Sequence, residues 1–108
     1  MFVKICGLTE ENDVLAAAES GTDAVGFIFA PSPRRVTPQR ARMLGALLPP
    51  CIRKVGVFLS PDPNELEATM AEASLDLVQI HGAFPEEMYR RFGARAIRGV
   101  GVGRDEPS

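Results

Sequence analysis

Apolar residues fall in five short runs along this chain, each closed by a polar or glycine-bearing turn. Phe2 to Cys6 is the first run, Ala24 to Phe29 the second, Lys54 to Leu59 the third, Leu77 to Gly82 the fourth and Ala96 to Val100 the fifth. Runs of this length predict strands, and their near-continuous apolar character suits parallel strands buried on both faces. Between them the period changes to that of helices. Thr9 is expected to cap the first helix, with Glu10 and Glu11 in the first turn, where carboxylates suit the positive end of the helix dipole. Val14, Leu15, Ala17 and Ala18 give that helix an apolar side, and Gly21 is a natural stop. Thr37-Pro38 opens a second helix with Ala41, Leu44 and Leu48 on one side, and Pro49-Pro50 is expected to end it. Asp62 and Glu65 form a capping-box-like opening for a third helix, striped by Leu66, Met70 and Ala73. Pro85 to Phe92 predicts a fourth.

The predicted order is β-α-β-α-β-α-β-α-β, a series of right-handed parallel crossovers in an α/β fold. Two closures satisfy it. One is a five-stranded open, flavodoxin-like sheet with helices on both faces. The other is the first half of an eight-stranded (βα)8 barrel, about four βα units plus strand five; a full barrel typically needs about 250 residues. No linker or low-complexity stretch divides the 108 residues.

Composition narrows the function classes. The chain is 45% hydrophobic and 24% charged, with 12 basic and 14 acidic residues and a net charge of −2. No basic excess argues for nucleic acid. The apolar runs are far shorter than the roughly 20 residues of a membrane span, and the N-terminus lacks a signal-peptide layout. Two cysteines make no disulfide framework, so a reducing cytoplasm is expected.

In parallel α/β proteins, ligands sit at the C-terminal tips of strands, and four side chains at such tips are candidates for chemistry. Cys6 ends strand one; the alternatives are a small buried hydrophobe or, as a thiolate, a base or nucleophile. Lys4 alternates onto the same face and is the nearest cation in sequence. His81, the single histidine, stands before Gly82 at the end of strand four, with Gln79 on the same face. Cys6 and His81 can therefore face one cavity. Arg34, in the loop after strand two, is either solvated or a two-point clamp for a carboxylate or phosphate. Cys51, at the opposite end of the sheet, is expected to be structural. The glycine-rich segment 99–103 fails the dinucleotide-binding pattern, because Arg104 replaces the third glycine. No metal-ligand cluster is evident.

Lys4-Ile5-Cys6-Gly7-Leu8-Thr9, Ala24-Val25-Gly26-Phe27-Ile28-Phe29, Ser32-Pro33-Arg34-Arg35-Val36, Val55-Gly56-Val57-Phe58 and Gln79-Ile80-His81-Gly82 stand in the order seen in the phosphoribosylanthranilate isomerase family, which the chain resembles over essentially its whole length. That family is a (βα)8 barrel of tryptophan biosynthesis, and the match covers about its first half. The resemblance implies a single partial barrel domain over 1–108, with the C-terminal half absent. It implies an Amadori rearrangement of a phosphorylated aminosugar, without metal or organic cofactor, in which Cys6 corresponds to the base. Arg34 corresponds to the contact with the anthranilate end of the substrate; His81 and Gln79 correspond to pocket residues. The family's general acid and phosphate-binding loops would lie beyond Ser108, so the isolated chain is expected to show little or no isomerase activity. Two other readings stand beside this one: a non-catalytic half-barrel that self-associates through exposed sheet edges, and an open α/β binding module with His81 and Arg34 as ligand contacts.

Overall fold

The computed structural model describes residues 3–98. Its strands are β1 (Lys4–Cys6), β2 (Ala24–Ile28), β3 (Arg53–Leu59), β4 (Leu77–His81) and β5 (Ala96–Arg98). The helices are α1 (Glu11–Glu19), α2 (Pro38–Gly45), α3 (Pro63–Glu72) and α4 (Glu86–Phe92), and a single 3-10 turn, Gly93–Arg95, leads into β5. Phe2 and the segment 99–108, including the end of the expected fifth strand and the glycine-rich stretch, lie outside the described residues. No helix among the described residues is long and apolar enough to cross a membrane.

All pairings are parallel, and the strand order is β1-β2-β3-β4-β5. The helices share one face of this sheet. Val14 and Ala17 of α1, Ala41 and Leu44 of α2, Leu66 and Met70 of α3, and Phe92 of α4 form one apolar cluster with Val25, Phe27, Phe58, Val78 and Ile80 of the strands. Fully burying a side chain such as Phe27 or Leu66 stabilises by about 1.5–3 kcal/mol. Sequential order with every helix on one face excludes the open, doubly wound alternative, which places strand one inside the sheet and helices on both sides. The result is a run of βα units curling as in a (βα)8 barrel.

The opposite face is concave. Its side chains fall in rows set by the register: Lys4, Ala24 and Arg53; then Cys6, Gly26, Val55 and Leu77; then Ile28, Val57, Gln79 and Ile97; then Leu59 and His81. Burial here differs from the both-faces expectation. Ala24 to Phe27 of β2 is buried throughout, but β4 alternates, with Val78 and Ile80 buried towards the helices and Leu77, Gln79 and His81 half-buried on the concave side. The helices cover one face, whereas the concave one is shielded only by its own curvature.

Local signals mostly acted as their chemistry requires. Asp62 caps α3, accepting from the backbone N–H groups of Asn64 and Glu65 at 3.1 and 3.2 Å. Thr37 caps α2 by accepting from the Arg40 N–H at 3.1 Å, with Pro38 following it. Two boundaries moved. Thr9 does not cap α1: Glu10 is the extended residue before the helix, without a side-chain cap bond, and Glu11 and Asp13 supply the first-turn charge. The Thr9 carbonyl instead accepts from Arg40 Nη2 at 3.2 Å. α2 stops at Gly45, short of Pro49-Pro50, because the following N–H groups of Leu47 and Leu48 bond three residues back and tighten the chain before the prolines.

Candidate functional site

The C-terminal tips of β1, β2, β3 and β4 lie side by side, since parallel strands in sequential order end on one rim. Cys6 is exposed there, which rejects its reading as a buried hydrophobe. Two glycines shape its surroundings. Gly26, its register partner, leaves room for the thiol: a Cβ at Gly26 would stand 2.7 Å from Cys6 Sγ. Gly7 takes a φ of +86°, a conformation open to glycine, and its N–H bonds to the Gly26 carbonyl at 2.9 Å. The chain thus turns sharply just after the thiol while staying tied to β2.

Arg34 is brought to the same place. Its guanidinium lies over Gly7, where an added Cβ would meet Nη1 at 2.9 Å. The loop carrying it is anchored at both ends: the Arg34 N–H donates to Ser32 Oγ at 3.1 Å, and the Val36 N–H returns to the Ile28 carbonyl at 3.0 Å. An exposed guanidinium one residue from the thiol suits a planar anion held next to that thiol.

Gln79 and His81 share the concave face with Cys6, as alternation along β4 requires. Gln79 Nε2 stands 3.3 Å from His81 Nε2. The ammonium of Lys4 donates to Gln79 Oε1. The nearest cation in sequence is therefore hydrogen-bonded across the sheet to the β4 amide. That bond also measures the curvature. Adjacent strands lie about 4.8 Å apart, so β1 and β4 would be about 14 Å apart on a flat sheet, with their side chains standing parallel. They meet because the sheet curls and its strands tilt, raising Lys4 to the level of a residue two concave rows higher.

Beyond the four candidates, Lys4, Gly26 and Ser60 shape the site. Lys4 was legible from alternation; Gly26 needs the β1–β2 register, which sequence does not disclose. Ser60, at φ +42°, links two tips: its N–H donates to the His81 carbonyl at 2.7 Å, and its Oγ accepts from the Ala83 N–H at 2.9 Å. Cys51, expected to be structural, is exposed and free, because the turn before β3 leaves its side chain outside the core. Among the described residues no group of three or more histidines, cysteines or carboxylates is placed to hold a metal.

Three carboxylates near the rim are engaged elsewhere. Asp62 caps α3, Glu10 lies 3.8 Å from Arg40, and Glu86 holds Arg98 at 2.9 Å. A cleft of about 510 Å³ also opens at this end of the molecule, between the loops after β2 and β3, over the stacked rings of Phe29 and Phe58. Arg35, Asp62 and Glu65 line it, but Cys6, Gln79 and His81 do not. It lies on the helix side of the sheet, so the candidate chemistry belongs to the concave rim.

The family described as N-(5'phosphoribosyl)anthranilate (PRA) isomerase matches residues 3–106. An N-(5'-phosphoribosyl)anthranilate isomerase of Listeria innocua is 47% identical over 102 residues, covering 94% of this chain and 50% of the relative. One of Streptococcus gordonii is 47% identical over 100 residues, covering 93% and 51%. The chain thus spans about half the length of the curated relatives it matches. The crystal structure of the phosphoribosyl anthranilate isomerase of Thermus thermophilus superposes with a TM-score of 0.87 at 39% identity, covering 100% of this chain and 55% of that one. Another isomerase, in complex with reduced 1-(o-carboxyphenylamino)-1-deoxyribulose 5-phosphate, gives a TM-score of 0.85 at 41% identity, covering 97% and 57%.

Proposed function

Because the chain belongs to the N-(5'-phosphoribosyl)anthranilate isomerase family, we propose that it carries the base-bearing half of an isomerase site in tryptophan biosynthesis. The reaction is the Amadori rearrangement of N-(5-phosphoribosyl)anthranilate to 1-(2-carboxyphenylamino)-1-deoxyribulose 5-phosphate. In this reading residues 1–108 are one partial (βα)8-barrel domain. The observation that carries it is the exposed thiol of Cys6 at the tip of β1, with the Arg34 guanidinium beside it over Gly7.

An acid protonates the ribose ring oxygen, the ring opens, and the anthranilate nitrogen forms a Schiff base. The Cys6 thiolate then removes the proton from the adjacent carbon. Its electrons move to the cationic nitrogen, and the resulting enolamine tautomerises to the ketone. The substrate's nitrogen is the electron sink, so the step needs no metal or organic cofactor. Arg34 holds the anthranilate carboxylate, and Gln79 and His81 line the sugar side. The general acid and the phosphate site fall to the family's later βα units. A reducing, cytoplasmic setting suits a reaction that needs a free thiol.

The test supplies the purified chain with the C-terminal half of a family member and follows loss of substrate fluorescence. The completed barrel is expected to turn over and the chain alone not to. Cys6→Ser should lower the completed rate about 10²–10⁴-fold, the range of a positioned base. An unchanged rate in Cys6→Ser overturns the base assignment, and turnover by the chain alone overturns the placement of the acid.

A second reading, a non-catalytic half-barrel that self-associates, rests on β1 and β5 each pairing on one side only among the described strands. Sedimentation as a strict monomer with a cooperative melt would sink it.

A further inference from the structure

We propose that Lys4 is a positioning residue that sets the tautomer of His81 through Gln79, so that the ring offers a neutral Nδ1–H to a substrate oxygen. The inference follows from what each group can donate. A lysine ammonium has three protons and no acceptor, so only the carbonyl end of Gln79 can meet it, and Lys4 Nζ indeed donates to Gln79 Oε1. That choice fixes the other end of the amide. The Gln79 NH2 is left facing His81 Nε2 at 3.3 Å. An amide NH2 is a donor only, so His81 Nε2 must accept, and in the neutral imidazole the proton then sits on Nδ1. The chain Lys4 to Gln79 to His81 is directional, each group donating to the next, from the edge strand β1 across the concave face to the tip of β4.

All three residues are half-buried, where water competes less for these bonds than at an exposed surface. The consequence deepens the isomerase reading and rests on it only for the identity of the bound oxygen. With its Nε2 lone pair engaged, His81 acts as a hydrogen-bond donor in the pocket. The lone pair that takes the substrate proton then belongs to Cys6.

His81 is the only histidine in the chain, so selective 15N-histidine labelling gives one pair of ring nitrogens. Spectra are recorded in mildly alkaline buffer. The full chain should show a protonated Nδ1 and a bare Nε2, with an excess of this form of roughly fivefold or more, the ratio one net hydrogen bond enforces. Lys4→Met frees the amide to rotate and should erase that excess. Lys4→Arg, which still offers only donors, should keep it. A proton found on Nε2 in the unsubstituted chain overturns the proposal with no variant needed. So does an unchanged tautomer in folded Lys4→Met, or its loss in folded Lys4→Arg. These spectra need no substrate, so the relay stands or falls separately from the isomerase reading, whose test is the Cys6→Ser rate.

Discussion

Replacing Gly26 with alanine tests whether the thiol of Cys6 occupies space that β2 keeps empty for it. The new methyl would lie 2.7 Å from Cys6 Sγ, 3.3 Å from its Cβ and 3.4 Å from its Cα. Non-bonded heavy atoms prefer about 3.5–4.0 Å, so the sulfur must retreat by about 1 Å or the two strands must part. Overpacking of this kind costs about 1–3 kcal/mol. The alanine offsets about 0.4–1 kcal/mol by restricting the unfolded chain. The expected net loss is about 0.5–2 kcal/mol, measured by urea unfolding. Because the worst contact is to the sulfur, the loss should shrink when the sulfur is absent. In a double-mutant cycle of Gly26→Ala with Cys6→Ala, the pair should be more stable than the sum of the singles by about 1–2 kcal/mol. Additivity within about 0.5 kcal/mol would refute the clearance argument. In the completed barrel, a displacement of about 1 Å at Cys6, the proposed base, should lower turnover about 10²-fold.

Two further substitutions probe the rim. Asp62→Ala removes both cap bonds at the start of α3 and should cost about 0.5–2 kcal/mol in urea unfolding; restoration by Asp62→Asn and not by Asp62→Val would identify the cap as the cause. Gly7→Ala places a side chain at φ +86° and sets a methyl 2.9 Å from Arg34 Nη1. It should cost about 1–2 kcal/mol and raise KM in the completed barrel by displacing Arg34, whereas an unchanged KM would separate Arg34 from substrate binding.

What was legible in the sequence was what depends on neighbours along the chain. Asp62 with Glu65, Thr37 with Pro38, and the positive φ of Gly7, Gly21 and Gly82 are local solutions to local backbone needs. The period-2 alternation that put Lys4 with Cys6, and Gln79 with His81, is local as well. The rest was decided by distant partners or by the detailed course of a turn. Thr9 lost its capping role in a segment held by Arg40, 31 residues away. The place of Cys51 in the chain suggests a structural role, but the turn before β3 exposes it. The Lys4–Gln79 bond joins residues 75 apart and exists only because the sheet curls. Gly26 stands inside an apolar run, and only the β1–β2 register reveals that it faces the thiol.

The strands themselves carry a requirement that the helices do not meet. Their runs are apolar at both odd and even positions, yet the helices cover only the side of Phe27, Phe58 and Ile80. On the concave side Leu59 is 55% exposed and Ile97 44%, against 0% for Phe27. Apolar groups left in water forgo about 25 cal/mol per Å² of burial. A β sequence apolar on both faces therefore reports two coverings, one by helices and one from across the concavity. In a closed barrel the second covering is the opposite wall, whose side chains fill the interior in layers. Cys6, Gln79 and His81 stand on that same concave surface. Whatever covers Leu59 and Ile97 must also form the far side of the cavity that the Cys6 thiol faces. Completing the core and completing the proposed site are thus one structural event, and the proposed recovery of activity on adding the C-terminal half of a family member should coincide with burial of these two side chains.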